Sequence, residues 1–459
     1  MQDRKARHLQ ALGARILSEA NDLKRTPEAL ARELNRDPAT VRRVIAGEAD
    51  EATARSLLTA MAEAYPISLA DLWVEADDTE DGVKVMRRAD SDASSRVFER
   101  KDRAGSETPY YDYRDTAMSR LAPFKPEWIR PLRLVEDSDP DNPDVAYNNG
   151  HLMHQLTFFV GAVNFYWRID GRGYCAEMNT GDSNYITPFV RHSFTSRDPR
   201  RLGLIIAVTY AGEVRGALDA LRHLEGPDLD RLAGDLRDPQ GAFAARIVRA
   251  LAAESLTSGE LMRRLVDAGL DEEAAAALAA GARLPQGAEV AALAAALDLR
   301  PADLMVSQLT PKEEVVVRTR ARSPSRAFPP DSNRAAYRLT ELARTKHQPG
   351  LKGFEVTVLA EDTGDAVLRH GLHEYVYNYG DAAVALNWGD RHQTELAPGD
   401  SAYVRPMIGH RFARPTGEGE GHLAIVRVAG SLMQSVLDEF ALYPAETRRR
   451  VVRETKRWF

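Results

Sequence analysis

A single cysteine, Cys175, stands in 459 residues, so no intrachain disulfide can brace the fold, and the chain suits a reducing compartment. No stretch approaches the ~20 consecutive apolar residues that a membrane helix needs. The opening "MQDRKARHLQALGARILSEA" lacks the apolar centre of a signal peptide. Positive charge is not in excess either: 61 Lys and Arg against 68 Asp and Glu leave a net charge of −7, which offers no overall basic field to nucleic acid. These absences predict a cytoplasmic protein with no membrane or nucleic-acid partner. What the chain does have is length, and 459 residues exceed what one hydrophobic core usually organises.

It also has an internal echo. "GDSNYITPFVRHSF" (181–194) returns as "GDSAYVRPMIGHRF" (399–412), with seven of fourteen positions identical and an offset of 218 residues. "HLMHQLTFFVG" (151–161) is answered without a gap by "HGLHEYVYNYG" (370–380), "YRDT" (113–116) by "YRLT" (337–340), and "SLADLW" (68–73) by "RPADLM" (300–305). A unit of roughly half the chain therefore occurs twice.

Each unit has a helical and a β-rich part. "TPEALARELNRDPATVRRVIAGE" (26–48) places apolar residues at helical spacing, with Thr26 as N-cap and "NRDPAT" turning into a second helix. A third helix at 52–65 completes a helix-turn-helix-like bundle, and an alanine-richer counterpart spans about 256–305. "LTFFVGAVNFYWRI" and "YVYNYGDAAVALNW" are aromatic, β-branched and broken by Gly, the pattern of a sandwich or barrel. The expected class is α+β, with helical parts at 1–75 and 229–310, β-barrels at 76–228 and 311–432, and one last helix at 433–459. Polar connectors are expected at 76–100 and 311–333, and the arginine run near the C-terminus reads as a solvated face.

The chemistry concentrates on histidine. His151 stands just before one strand, and His192 follows eleven residues after Gly181. Neighbouring strands of a small barrel bring such segments together. Iron(II) oxygenases commonly use two His and one carboxylate, leaving open positions for substrate and oxygen. Here the acid is missing: Gln155 stands four residues after His151, and Ile186 five after Gly181. An amide oxygen can bind such a cation but brings no charge, so a chelating anionic substrate would have to compensate. His154 would make a three-His set, but its spacing of three in a strand puts it on the opposite face from His151.

The Gly-to-His spacing resembles the second cupin motif, so the duplication reads as a bicupin. More specifically, "NNGH" (148–151), "GDSNYITPFVRH" (181–192), "PYYDYRDT" (109–116) and the lysine of "NDLKRT" (21–26) resemble the phosphonate-cleaving branch of the cupin oxygenases. That resemblance implies Fe(II) held by His151, Gln155 and His192, with 2-hydroxyethylphosphonate and O₂ as substrates. Gln155 together with Ile186 is similar to the two-His-one-Gln pattern within this family, which implies methylphosphonate and CO₂ or bicarbonate as products. A carboxylate at either place would imply its siblings, one of which gives hydroxymethylphosphonate and formate. The resemblance further implies substrate contacts from Asn148, Tyr111, Tyr113, Arg103 and Lys24, with Tyr113 and Lys24 also serving catalysis. Lys24 would act from a neighbouring subunit of a homo-oligomer.

The second copy puts His370, His373, Glu374 and His410 in register with His151, His154, Gln155 and His192. It has the acid, but Arg405 and Arg411 bring positive charge, and the expectation is a degenerate, structural copy. Helix-turn-helix plus barrel is also the layout of ligand-sensing transcription regulators. Residues 1–75 carry eleven Lys and Arg against twelve Asp and Glu, which is not the balance of a DNA-binding bundle.

Overall fold

The computed structural model describes residues 2–330, 335–364, 366–417 and 419–458. Twenty strands are described. The first ten are β1 (Val83–Met86), β2 (Arg96–Lys101), β3 (Glu107–Asp115), β4 (Phe124–Pro131), β5 (His154–Val160), β6 (Val163–Ile169), β7 (Arg172–Met178), β8 (Ser183–Ile186), β9 (Arg191–Ser196) and β10 (Leu204–Tyr210). The second ten are β11 (Val315–Arg318), β12 (Ser325–Phe328), β13 (Tyr337–Glu341), β14 (Leu351–Val358), β15 (His373–Asn378), β16 (Val384–Trp388), β17 (His392–Leu396), β18 (Ser401–Val404), β19 (His410–Ala413) and β20 (Gly421–Val428).

Two seven-stranded sheets run in the orders β11-β8-β5-β10-β4-β3-β2 and β1-β18-β15-β20-β14-β13-β12. Position by position these are the same sheet. Each faces a three-stranded sheet, β7-β6-β9 or β17-β16-β19. The sheets have free edges, so each β part is a sandwich and not a closed barrel. One core lies inside each sandwich: Phe159, Phe165, Ile186, Phe194 and Ile205 in the first, Val356, Leu386, Val404, Phe412 and Ile425 in the second. A third core, with Phe158, Tyr185, Ile206, Tyr375, Tyr403 and Val426, packs the two large sheets back to back. Alternation along the strands makes this possible, since both faces of each large sheet are apolar. Each such side chain contributes about 1.5–3 kcal/mol of burial.

The halves trade edge strands. β1, which precedes the first β part, pairs with β18 of the second, and β11 pairs with β8 of the first. The repeated Gly-Asp-Ser explains itself here. Gly181 and Gly399 take φ of 89° and 91° at their turns. The next Asp closes its own turn and reaches the other half: Asp182 accepts from the Arg320 N–H at 2.8 Å, and Asp400 from the Arg88 N–H at 2.8 Å. Ser183 accepts from the Ala343 N–H and Ser401 from the Ala117 N–H, both at 2.8 Å. The echo is thus in large part a pair of staples between the halves.

Helical bundles precede each β part. Thr26 caps Pro27–Glu33 by accepting from the Ala29 N–H at 3.2 Å, as the sequence predicts, and Asp37, in the turn that follows, caps Pro38–Ile45 through the Thr40 N–H at 2.8 Å. Each bundle has its own core, around Ile16, Val41 and Leu58 in the first and Phe243, Leu265 and Leu293 in the second. Arg42 is engaged by Glu28 at 3.1 Å. The expected last helix differs: two short helices, Gln434–Ala441 and Arg448–Val452, stand in its place. Glu454 ends the second by accepting from Arg450, from the Thr455 and Lys456 N–H groups and from Trp458. The polar connectors at 76–100 and 311–333 hold strands, with 331–333 lying outside the described residues. Among the described residues no helix is long and apolar enough to cross a membrane.

Candidate metal centre

The first sandwich brings His151, Gln155 and His192 together. Gln155 is the second residue of β5 and His192 the second of β9; His151 sits in the loop before β5. That loop is pinned by the Phe189 N–H, which donates to the His151 carbonyl at 2.9 Å. Gly150, at φ 73°, has to be glycine, because a Cβ there would meet the Phe189 backbone at 2.5 Å.

Both histidines are oriented through Nδ1. His151 Nδ1 lies 2.9 Å from the Met153 carbonyl, and His192 Nδ1 lies 2.9 Å from the Val190 carbonyl. A carbonyl can only accept, so Nδ1 carries the proton in each ring and Nε2 keeps its lone pair. The rings cross at 87° with centroids 5.3 Å apart. Burial pushes the His192 imidazole down to about 4, and the neighbouring His151 pushes the same way, so His192 is a neutral donor at pH 7.

Gln155 completes the set. Its NH₂ donates to Thr157 Oγ1 at 2.8 Å, which turns Oε1 toward His151 Nε2, 3.3 Å away. In the neutral Nδ1–H form of His151 the Nε2 lone pair faces Gln155 Oε1, and His192 Nε2 looks into the same space. This donor set fits a divalent cation, which would resolve the opposed lone pairs. Thr157 went unremarked in the sequence, although strand alternation places it on the same face as Gln155.

The cavity in front of these atoms has a volume of about 230 Å³ and is lined by Asn148, Tyr111, Tyr113, Arg100, Glu127 and Phe194, among others. Asn148 accepts from the His192 N–H at 2.9 Å and lays its own NH₂ 3.0 Å from His192 Nε2. The Tyr111 hydroxyl accepts from the Phe194 N–H at 2.9 Å, which ties it to the scaffold. Burial, with Glu127 nearby, pushes the Tyr113 phenol up to about 12, so it is a hydrogen-bond donor. Arg103 is elsewhere: it sits in the turn after β2, 62 % exposed and ion-paired with Asp144. The cavity's guanidinium is Arg100, whose side of the edge strand β2 the sequence reading passed over. Ile186 is fully buried and pairs across the ladder with Gln155, without lining the cavity. Lys24 lies in the turn after the first helix (Gln2–Asp22), with Nζ donating to the Asn21 carbonyl at 3.2 Å and lying 5.1 Å over the Trp458 ring, away from this chain's cavity. His154 faces the interface between the large sheets, 2.7 Å from the Tyr185 hydroxyl and stacked on Tyr210.

The second sandwich repeats the pattern with a carboxylate. His370 Nε2 lies 3.0 Å and His410 Nε2 2.7 Å from the two Glu374 oxygens. Among the described residues this is the group of three His and acidic side chains that could hold a metal. A guanidinium is already there: Arg427 donates from Nε to Glu374 at 2.5 Å. Burial by itself would raise the Glu374 carboxyl, but Arg427 and then His410 hold it well below the usual carboxylate range. The positive charge expected from Arg405 and Arg411 comes instead from Arg427, since Arg405 pairs with Asp77 and Arg411 donates to the Gly364 carbonyl.

Two Nδ1-anchored histidines and an oxygen donor on an antiparallel scaffold could hold a single metal ion without a haem. Comparison with known proteins narrows this class. The chain is 37 % identical, over 97 % of its length and 95 % of the relative's, to the methylphosphonate synthase of Nitrosopumilus maritimus strain SCM1, and it belongs to that family. The structure of Streptomyces albus HEPD with its substrate 2-hydroxyethylphosphonate and Fe(II) bound superposes with a TM-score of 0.87 at 35 % identity, covering 99 % of this chain and 100 % of that one. A structure of a variant 2-hydroxyethylphosphonate dioxygenase shares the fold, with a TM-score of 0.68 at 20 % identity over 94 % of this chain and 98 % of the other. No family model matches the sequence.

Proposed function

We propose that the chain is an Fe(II)-dependent oxygenase that cleaves 2-hydroxyethylphosphonate with O₂, releasing methylphosphonate and CO₂ or bicarbonate. The observation that carries this reading is the presentation of Gln155 Oε1 to His151 Nε2 at 3.3 Å beside a neutral, buried His192. It stands together with the similarity to methylphosphonate synthase and to HEPD. Fe(II), when bound, supplies the activation of O₂ next to the chelated substrate.

The chain's own groups account for the rest. His151, His192 and Gln155 hold the cation with three neutral donors, so a near-dianionic substrate restores the charge balance. With His192 Nε2 turned to a metal, the Asn148 NH₂ would be free to donate to a phosphonate oxygen. Arg100 and the protonated Tyr113 offer further donors, and a guanidinium suits a tetrahedral oxyanion. Tyr111 positions the strand that carries His192. Arg100 thus replaces Arg103 as the proposed anion contact. Ile186 puts an aliphatic side chain, not a carboxylate, across the ladder from Gln155, which leaves the one-carbon fragment beside the phosphonate until it returns hydrogen to the phosphonate carbon. One substrate and one O₂ balance against methylphosphonate, CO₂ and water.

The finer architecture and context belong to the same reading. Each sandwich is an opened cupin barrel, so the chain is a bicupin with a bundle before each half. It works in the cytoplasm as a homo-oligomer in which Lys24 reaches a neighbouring subunit's cavity. Phosphorus NMR after aerobic incubation with Fe(II) and 2-hydroxyethylphosphonate tests the proposal. Methylphosphonate is the expected product; hydroxymethylphosphonate alone would overturn it.

A further inference from the structure

On the opposite face of the same strands lies a second cavity, of about 200 Å³, between the two halves. Tyr113 and Glu127 face the metal centre; their neighbours Arg114 and Trp128 face this one. Its walls carry four guanidiniums, from Arg88, Arg114, Arg130 and Arg201, against the carboxylates of Asp92 and Asp381. Arg114 is satisfied by Asp92 and by Asp112 at 2.9 Å, and Arg88 lies 3.6 Å from Asp92. Among the described residues Arg130 and Arg201 have no ion-pair partner. Arg130 Nε is also buried without any hydrogen-bond acceptor. Arg114 and Arg130 lie 4.1 Å and 4.8 Å from the same Trp128 ring, so two like charges share one indole.

The other half shows what such a place requires. Trp128 pairs with Ile206 on β10, and Glu355 with Ala424 on β20, which makes Glu355 the counterpart of Trp128. There Arg320 donates to Glu355 from Nη2 at 2.9 Å and Nε at 3.2 Å, and the Tyr379 hydroxyl adds a bond at 2.6 Å. That half carries its own anion; the arginine cavity has an indole in its place.

We propose that the arginine cavity binds a small tetrahedral oxyanion, of the phosphate or alkylphosphonate class, between the two halves. A buried donor without an acceptor is costly, and an oxyanion meets it with charge-assisted hydrogen bonds. The volume admits phosphate or methylphosphonate and excludes a nucleotide.

Calorimetric titration of the metal-free full chain with inorganic phosphate, and separately with methylphosphonate, tests this. Wild type and Asn148→Ala, which impairs the metal-side cavity, should bind with equal affinity at this site. Arg130→Leu should weaken it at least tenfold, with kcat and KM for 2-hydroxyethylphosphonate unchanged in phosphate-free buffer. Should Arg130→Leu not fold, the exposed Arg201→Leu decides by the same criterion. Binding of both anions marks a general oxyanion site, and binding of methylphosphonate alone a product site; either supports the proposal. Affinity untouched by both arginine variants, or no binding by wild type, would overturn it.

Discussion

The two histidine sites of this chain occupy the same place in the same fold, and two of the side chains in which they differ set them apart. Where the first has Gln155, the second has Glu374; where the first has Thr209 across the ladder from that residue, the second has Arg427. The better ligand set on paper, His370, Glu374 and His410, is the one in which a guanidinium engages the carboxylate and fills the place of a cation. The poorer set, with its neutral amide, keeps an open cavity. The comparison shifts attention from ligand type to the residue across the ladder, which in the second site already engages the donor carboxylate.

Exchanging that residue should have the largest effect. Arg427→Thr reproduces the first site's surroundings around a carboxylate. In metal-free protein it strands a buried charge and should cost about 3–5 kcal/mol of stability. Added Fe(II) should restore much of this and raise the metal content by one equivalent per chain, which denaturation with and without metal will show. A variant that stays metal-free and loses no stability would break the comparison.

Next come the charges around the open cavity. Arg100→Ala should raise KM for 2-hydroxyethylphosphonate roughly 10- to 100-fold, since a hydrogen bond to a charged group is worth about 1.5–3 kcal/mol. Arg103→Ala, which removes a surface pair with Asp144, should leave steady-state kinetics unchanged. The reverse ranking would return the anion contact to Arg103.

A subtler change is Thr157→Val, which frees the Gln155 amide to rotate. Loss of an orienting partner of this kind typically costs about 10–100-fold in metal affinity. Competition with a metal chelator measures it.

The smallest effect concerns what the two halves share. His154 and His373 are each half-buried, each held 2.7 Å from a tyrosine hydroxyl, and each pushed down to about 4 by desolvation from an ordinary 6.5. The folded protein thus refuses a proton that the unfolded chain accepts between those values. Stability is lost as pH falls through that window and regained as it rises. By pH 5.5 each imidazole should contribute a loss of about 1 kcal/mol. His154→Gln and His373→Gln should flatten the melting-temperature profile equally; unequal changes would mean that the halves are not equivalent at this interface.

Much of this was legible because it is local in sequence. The Gly-to-His spacing, the cap at Thr26, the turn at 35–40 and the repeated phrase are short-range signals, and the structure brings His151, Gln155 and His192 together where they point. What escaped is set by strand register. Arg427 lies 53 residues from Glu374 and meets it only because β15 pairs with β20. The exchange of β1 and β11 likewise has no local signature. Arg103 rests on the family resemblance alone and Arg100 has no motif to mark it; Arg103 falls in the turn beyond the end of β2, while Arg100 still lies in the strand. The arginine-rich C-terminus looked like one helix by composition, yet Glu454 gathers the following N–H groups and ends it.

Iron content per chain, measured on wild type and on two single variants, tests the central claim most directly. One equivalent is expected in wild type, retained in His410→Ala and lost in His192→Ala. Two equivalents in wild type, or iron kept by His192→Ala and lost from His410→Ala, would contradict it.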